Sequence, residues 1–139
     1  MRQDQLDIPA ACAADLDRKG QEFLAEFLKA HVRRHPRSLD ALAELGHALT
    51  KLGRLDEGLE VDRQLVRLIP DNPTVHYNLA CSLALLNRKD DSLDALEAAV
   101  ELGYADTAFL REDDDLIGLH TELRFERLLR RLEADAPAH

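Results

Sequence analysis

Three groups of side chains in this sequence have the types that catalysis or metal binding uses. His31 and His35 stand four residues apart, a spacing that puts two imidazoles on one helix face and within reach of one metal ion. They sit beside Arg33 and Arg34 at the end of a helical stretch, where cationic and polar groups suit the helix dipole, and no third ligand is apparent nearby. Asp113, Asp114 and Asp115 offer carboxylates to a hard cation, but the alternating acids and central glycine of a calcium loop are missing. Their plainer reading is solvated acids at a helix start. Cys81 and His47 fall at equivalent inward-facing positions 34 residues apart, a conceivable thiolate pair, although cysteine in such a helix usually serves as a small hydrophobe. There is no glycine-rich phosphate loop, no GxSxG elbow and no HExxH, and Ser, His and Asp show no spacing that identifies a triad. The sequence therefore predicts no catalytic residue, no metal and no cofactor. Function has to come from a surface.

Composition narrows what that surface can meet. The chain has 139 residues, with 18 Lys and Arg against 27 Asp and Glu, for a formal net charge of -9. That balance disfavours nucleic acid, whose binding rests on cationic side chains displacing counterions, and equally disfavours anionic membranes. No stretch approaches about 18 apolar residues, so no spanning segment is expected. The first twenty residues carry acids and lack the apolar run of a secretion signal. Cys12 and Cys81 form no CxxC pair and are expected as reduced thiols, in keeping with a cytoplasmic protein. Hydrophobic residues make up 45% of the chain and aromatics only 4%, a leucine- and alanine-rich mix that favours helices over strands. The length fits a single domain over 1–139.

The elements that would position such a surface repeat. The string "AELGHALTKLGRLDEGLEVDRQLVRL" begins at Ala43, and 34 residues later the chain reads "YNLACSLALLNRKDDSLDALEAAVEL". The step takes Leu45 to Leu79, Gly46 to Ala80, Leu49 to Leu83, Gly58 to Ser92 and Val66 to Val100, while Pro70 steps back to Pro36. Apolar and small positions stay in phase, as a repeated packing scheme requires. Within one unit, Leu42, Leu45, Leu49 and Leu52 share a helical face over 39–52, and Gly53 ends that helix. Leu55, Leu59, Leu65, Val66 and Leu68 belong to a second helix that Pro70 stops. Asn72 before Pro73 reads as an N-cap with proline at the first helical position, opening a further pair near 73–86 and 89–102. Gly46 and Gly58, and then Ala80 and Ser92, fall where the two helices of a hairpin would cross.

These units resemble the tetratricopeptide repeat, on Leu45-Gly46, Leu49, Gly53, Gly58 and Pro70 in one and Leu79-Ala80, Leu83, Ser92, Leu96, Ala99 and Val100 in the next. The resemblance implies an all-α, right-handed superhelical array of antiparallel helix hairpins, with a C-terminal capping helix. It divides the chain into a degenerate hairpin over 5–38, repeats over 39–72 and 73–104, and a closing cap and tail over 105–139. In the first hairpin "FLAEFLKAHVRRHP" would be the second helix and "IPAACAADLD" its partner. The closing segment resembles one that follows such arrays in many bacterial proteins, on its Leu-Arg-x-Asp-x-Asp-Leu string and "LRFERLL", with Phe125, Leu128, Leu129 and Leu132 as its apolar stripe. Three positions depart from the family: Asp62 replaces a large aromatic, His76 a tryptophan or leucine, and Tyr104 the closing proline. The first two are expected to loosen packing between repeats.

In the family the first helix of each repeat lines a concave peptide-binding face. The resemblance carries that lining onto Asp40, Ala43, Glu44, His47 and Lys51 of one repeat and Thr74, Tyr77, Asn78 and Cys81 of the next. Asn78 matches an asparagine that relatives binding chaperone C-terminal carboxylates use against the peptide backbone. The basic partners of that clamp are absent, since Ala43, His47, Ala108 and Glu112 stand at their positions, so an acidic tail fits poorly. Asp40, Glu44 and Glu112 favour a basic segment instead. The expected function is a noncatalytic module or scaffold that binds a protein or peptide. The alternative is homo-oligomerisation, or a secretion-chaperone-like role holding a folded partner.

Overall fold

The computed structural model describes residues 10–135, with side chains from residue 17 onward. It consists of helices and turns alone over that range. The helices are α1 (Ala10–Arg34), α2 (Leu39–Lys51), α3 (Leu55–Leu68), α4 (Pro73–Leu85), α5 (Lys89–Glu101), α6 (Thr107–Glu112) and α7 (Leu123–Asp135), with a 3-10 segment at Asp114–Leu119 between the last two. From α1 to α5 each helix packs against the next, giving a TPR-like all-α array of adjacent hairpins.

Local chemistry sets the breaks between helices. Each repeat turns between its helices on one left-handed residue, Gly53 (φ 75°) in the first and Asn87 (φ 60°) in the second. Both positions close the same pair of backbone bonds. Arg54 N–H reaches Leu49 O at 2.9 Å and Gly53 N–H reaches Thr50 O at 3.0 Å, and Arg88 to Leu83 and Asn87 to Ala84 repeat the pattern at 2.9 Å. This is the Schellman arrangement, which uses carbonyls a helix end would otherwise leave unpaired; asparagine substitutes for glycine there because it tolerates the left-handed region. Asn72 caps α4, its Oδ1 accepting from Thr74 N–H at 2.8 Å and Val75 N–H at 3.3 Å, with Pro73 at the first turn.

The expected hairpin over 5–38 takes a different form. Residues 1–9 lie outside the described residues, and from Ala10 the chain runs as one helix of 25 residues. Between 10 and 34 there is no proline and a single glycine, Gly20. A lone glycine costs a helix interior only about 1 kcal/mol, too little to turn the chain. One face of α1, with Ala25 and Leu28 buried, packs on Leu42, Leu45 and Leu49 of α2. Its other face leaves Phe23 73% and Phe27 59% exposed.

The core forms two clusters that meet at the boundary between the repeats. One joins α1, α2 and α3 and borrows Val75 from α4. The other joins α4, α5 and the C-terminal segment and borrows Leu59 from α3. In the latter, Leu110, Leu116, Leu119, Phe125, Leu128 and Leu129 bury against Leu93, Leu96 and Ala99, with Leu132 partly buried beside them. The 3-10 segment rests on α4 and α5, and α7 on α5.

Candidate interaction groove

The side chains that α2 and α4 turn to one side form a groove of about 680 Å³, closed along one edge by the C-terminal segment. Six of the eight expected residues line it: His47 and Lys51 from α2, and Thr74, Tyr77, Asn78 and Cys81 from α4. Asp40 and Glu44 are exposed on α2 outside the lining. Glu112, the other acid expected to extend this face, is also exposed and outside it.

Residues outside the expected set supply the groove's chemistry. Asp113 and Asp115, from the turn after α6, face into it and are partly buried, and Asp114 between them is exposed. The reading of 113–115 as solvated acids thus holds for Asp114 alone. Asp113 caps the 3-10 segment, its Oδ1 accepting from Asp115 N–H at 3.0 Å. Its Oδ2 accepts from the Tyr77 hydroxyl and from the Cys81 thiol, whose Sγ lies at 3.7 Å. Thus the hydrogen-bond partner of Cys81 is a carboxylate of the closing segment and not His47. Burial and then the negative charge of Asp113 and Asp115 push the Cys81 thiol well above its ordinary range, the opposite of what a nucleophilic thiolate needs. Burial likewise raises Tyr77, with the bond to Asp113 adding to it.

An aromatic group stands beside these carboxylates. Tyr104, where the family closes a repeat with proline, lays its ring parallel to Tyr77 with centroids 4.5 Å apart. Phe109 meets Tyr77 at 5.7 Å and is itself half exposed at the lip. The proline-to-tyrosine departure therefore builds part of the groove wall, a role legible only once 77 and 104 are known to be neighbours.

Asp62 is the third carboxylate in the lining. It is only 7% exposed and accepts a hydrogen bond from the Ser82 hydroxyl, which ties α3 to α4 across the repeat boundary. Where looser packing was expected, the structure has a buried polar link. Burial pushes the Asp62 carboxyl up to about 7, and the bond from Ser82 opposes that shift. His76, the neighbouring departure, donates through Nε2 to Pro70 O at 2.7 Å.

Cys81, Asp113 and Asp115 have donor atoms within 4.8 Å of one another and are the described residues that could share a metal ion. Their chemistry suits one poorly: the thiol is held in its protonated form and the Asp113 oxygens already accept bonds. No buried side-chain nitrogen or oxygen among the described residues lacks a hydrogen-bond partner. His31 and His35 do come together, with ring centroids 4.7 Å apart. They share an open hollow of about 550 Å³ with Arg34 and Arg37, and those guanidinium groups repel a metal cation. Among the described residues no helix is long and apolar enough to cross a membrane.

Comparison with known proteins fits this geometry. Residues 39–72, which comprise α2 and α3, match the family described as Tetratricopeptide repeat. The chain is 33% identical over 91 residues to a chloroplastic protein of Arabidopsis thaliana, a match covering 63% of this chain and 27% of that protein. The chain thus spans about a quarter of the length of the curated relative it matches. Tetratricopeptide repeats are generally protein-interaction modules, and the two helices at the centre of this array match that description.

Proposed function

We propose that this chain is a noncatalytic interaction module whose groove holds an extended segment of a partner protein. The observation that carries the reading is the groove itself, about 680 Å³ with polar side chains of α4 along its floor. Asn78, half-buried there, can both donate to and accept from a peptide backbone. Thr74 adds a hydroxyl one turn away, and Tyr77 and Phe109 offer flat apolar contact. The raised thiol of Cys81 speaks against nucleophilic chemistry at the same place. The test is capture of partners by the full chain and by Asn78→Ala, with crosslinks from Lys51 mapped by mass spectrometry. Crosslinks at the groove that Asn78→Ala abolishes are expected. Partners held equally well by the variant would refute the groove as the binding face.

A second reading, self-association, rests on a different surface. Phe23 and Phe27 lie one turn apart on the outward face of α1, and both are largely exposed. Exposed aromatic pairs of this kind are common at interfaces between chains. Sedimentation across concentration, repeated with Phe23→Ser and Phe27→Ser, separates the two readings: a dimer lost in that variant favours self-association.

A further inference from the structure

We propose that the closing segment completes, within the groove, a subsite for the guanidinium of an arginine carried by the partner segment. This rests on the groove reading above and names what the groove selects. Asp62, Asp113 and Asp115 all face the same groove, against Lys51 and His47 on the α2 side. Asp62 is engaged with Ser82, and Asp113 with Tyr77, Cys81 and the Asp115 backbone. Among the described residues the Asp115 carboxylate has no such partner. No lysine or arginine among the described residues forms an ion pair with any of the three, whereas Glu57, Asp91, Asp94, Glu97 and Glu133 elsewhere each hold one. Burial, then the charges of Asp113 and Asp114, push Asp115 upward, so a cation arriving there would relieve an existing repulsion between carboxylates.

The aromatic wall selects among cations. Phe109 presents a half-exposed ring at the lip, and the stacked pair of Tyr77 and Tyr104 lies beside it. A guanidinium is planar and weakly hydrated, stacks on such rings and offers paired N–H donors to a carboxylate; an ammonium does neither stacking nor forked bonding as well. Arginine therefore fits better than lysine, and an acidic segment is repelled.

The test uses the full chain and an array of acetylated, amidated hexapeptides, each with one position fixed in turn. The best binder is then remade with citrulline, the neutral isostere, in place of the selected residue. Arginine selection at one position is expected, with citrulline weakening binding by about tenfold or more. Asp115→Asn should erase that difference by weakening the arginine peptide far more than the citrulline peptide. Phe109→Ala, at a half-exposed position on the lip, should shrink it while the melting temperature, measured alongside, reports any loss of packing on Tyr77. Peptides bound without preference for arginine, or with preference for acids, would overturn the inference and leave the groove reading standing. Absence of any peptide binding would overturn both. Arginine selection that survives both variants would place the cation elsewhere, and a dimer that Asp115→Asn dissociates would assign the carboxylates to a second copy; either result rejects the subsite.

Discussion

The two repeats solve the same crossing in different ways. In the 39–72 repeat the helices meet through two glycines: a Cβ added at Gly46 would lie 3.5 Å from Val61 and Asp62, and one at Gly58 would lie 3.2 Å from Thr50 Oγ1. In the 73–104 repeat the equivalent positions are Ala80 and Ser92, and Ser92 Oγ donates across the hairpin to Ala80 O at 2.6 Å. The carbonyl at the matching place in the first hairpin, Gly46 O, receives its hydroxyl from Thr50 in its own helix at 2.9 Å. One hairpin is held by close backbone approach, the other by a hydrogen bond between its helices. Their neighbours differ as well: α1 covers the first and the closing segment covers the second. A shared 34-residue frame fixes where helices cross, while the residues at the crossing decide what holds them there.

The largest expected effect removes one repeat's cover. Deleting residues 106–135 would uncover Leu93, Leu96 and Ala99 and remove the six large side chains that pack on them. Each large apolar side chain taken out of burial forfeits roughly 1.5–3 kcal/mol, against about 5–15 for a whole domain. The truncated chain should aggregate or lose cooperative melting in calorimetry. A truncation that melts like the full chain would mean that the second repeat stands without its cover.

Next in size is the polar link between the repeats. Asp62 titrates near 7 in the folded chain, against an ordinary value of 3.8. Its folded form therefore keeps a proton that the unfolded chain releases above about pH 4, so this group makes stability fall as pH rises from 4 to 7, then level off. Each pH unit between the two titrations is worth roughly 1.4 kcal/mol, so the loss is of the order of a few kcal/mol. Asp115 is raised too and adds slope of the same sign. Asp62→Asn should flatten most of the fall and stabilise the chain at pH 8, read as urea midpoints between pH 5 and 8. Identical slopes in wild type and variant would show that Asp62 titrates normally and that the buried link carries no penalty.

What the sequence made legible was local, and what it hid was between elements. Helix bounds, the Gly53 turn and the crossing glycines follow from periodicity and small residues within one repeat. The first hairpin failed because the 34-residue frame was extended into a stretch that holds no breaker between 10 and 34, where local chemistry favours one helix. Asp62 misled because its role depends on Ser82, twenty residues further on. The acidic side of the groove was hidden for the same reason: Asp113 reaches Tyr77 across 36 residues, from a segment outside the repeat pattern. The alternate placing of Asp113 and Asp115, just before the buried Leu116, was the one available signal that two of the three acids turn inward.

A smaller effect tests the glycine crossing directly. Gly58→Leu would drive a side chain into a seam where even a Cβ is tight against Thr50 and lies 3.7 Å from Gly46 O. Overpacking of this kind costs about 1–3 kcal/mol. Lys89→Ala is the control; it breaks only a partly exposed ion pair to Glu122 at 3.7 Å, and should cost under about 1 kcal/mol. Equal shifts in melting temperature would refute the close approach of α2 and α3.

The smallest effect, and the sharpest for the comparison, exchanges the two crossings. Ser92 is fully buried, and Ser92→Ala should cost about 1 kcal/mol, the net worth of a typical buried hydrogen bond. Thr50→Ala should cost less, because a hydroxyl bonded back to its own helix gives little net support and alanine is the better helix former. Gly58→Ser alone would set its Cβ against Thr50 Oγ1 and lose stability. Combined with Thr50→Ala, that contact is gone, and the new hydroxyl sits where Ser92 sits in the other repeat, with Gly46 O as its acceptor. The double variant should therefore be more stable than the two single changes predict, by about 0.5–1 kcal/mol in a double-mutant cycle read by urea unfolding. Strict additivity would mean that the hydroxyl at 58 finds no acceptor, and that the crossings are held by different geometries and are not interchangeable.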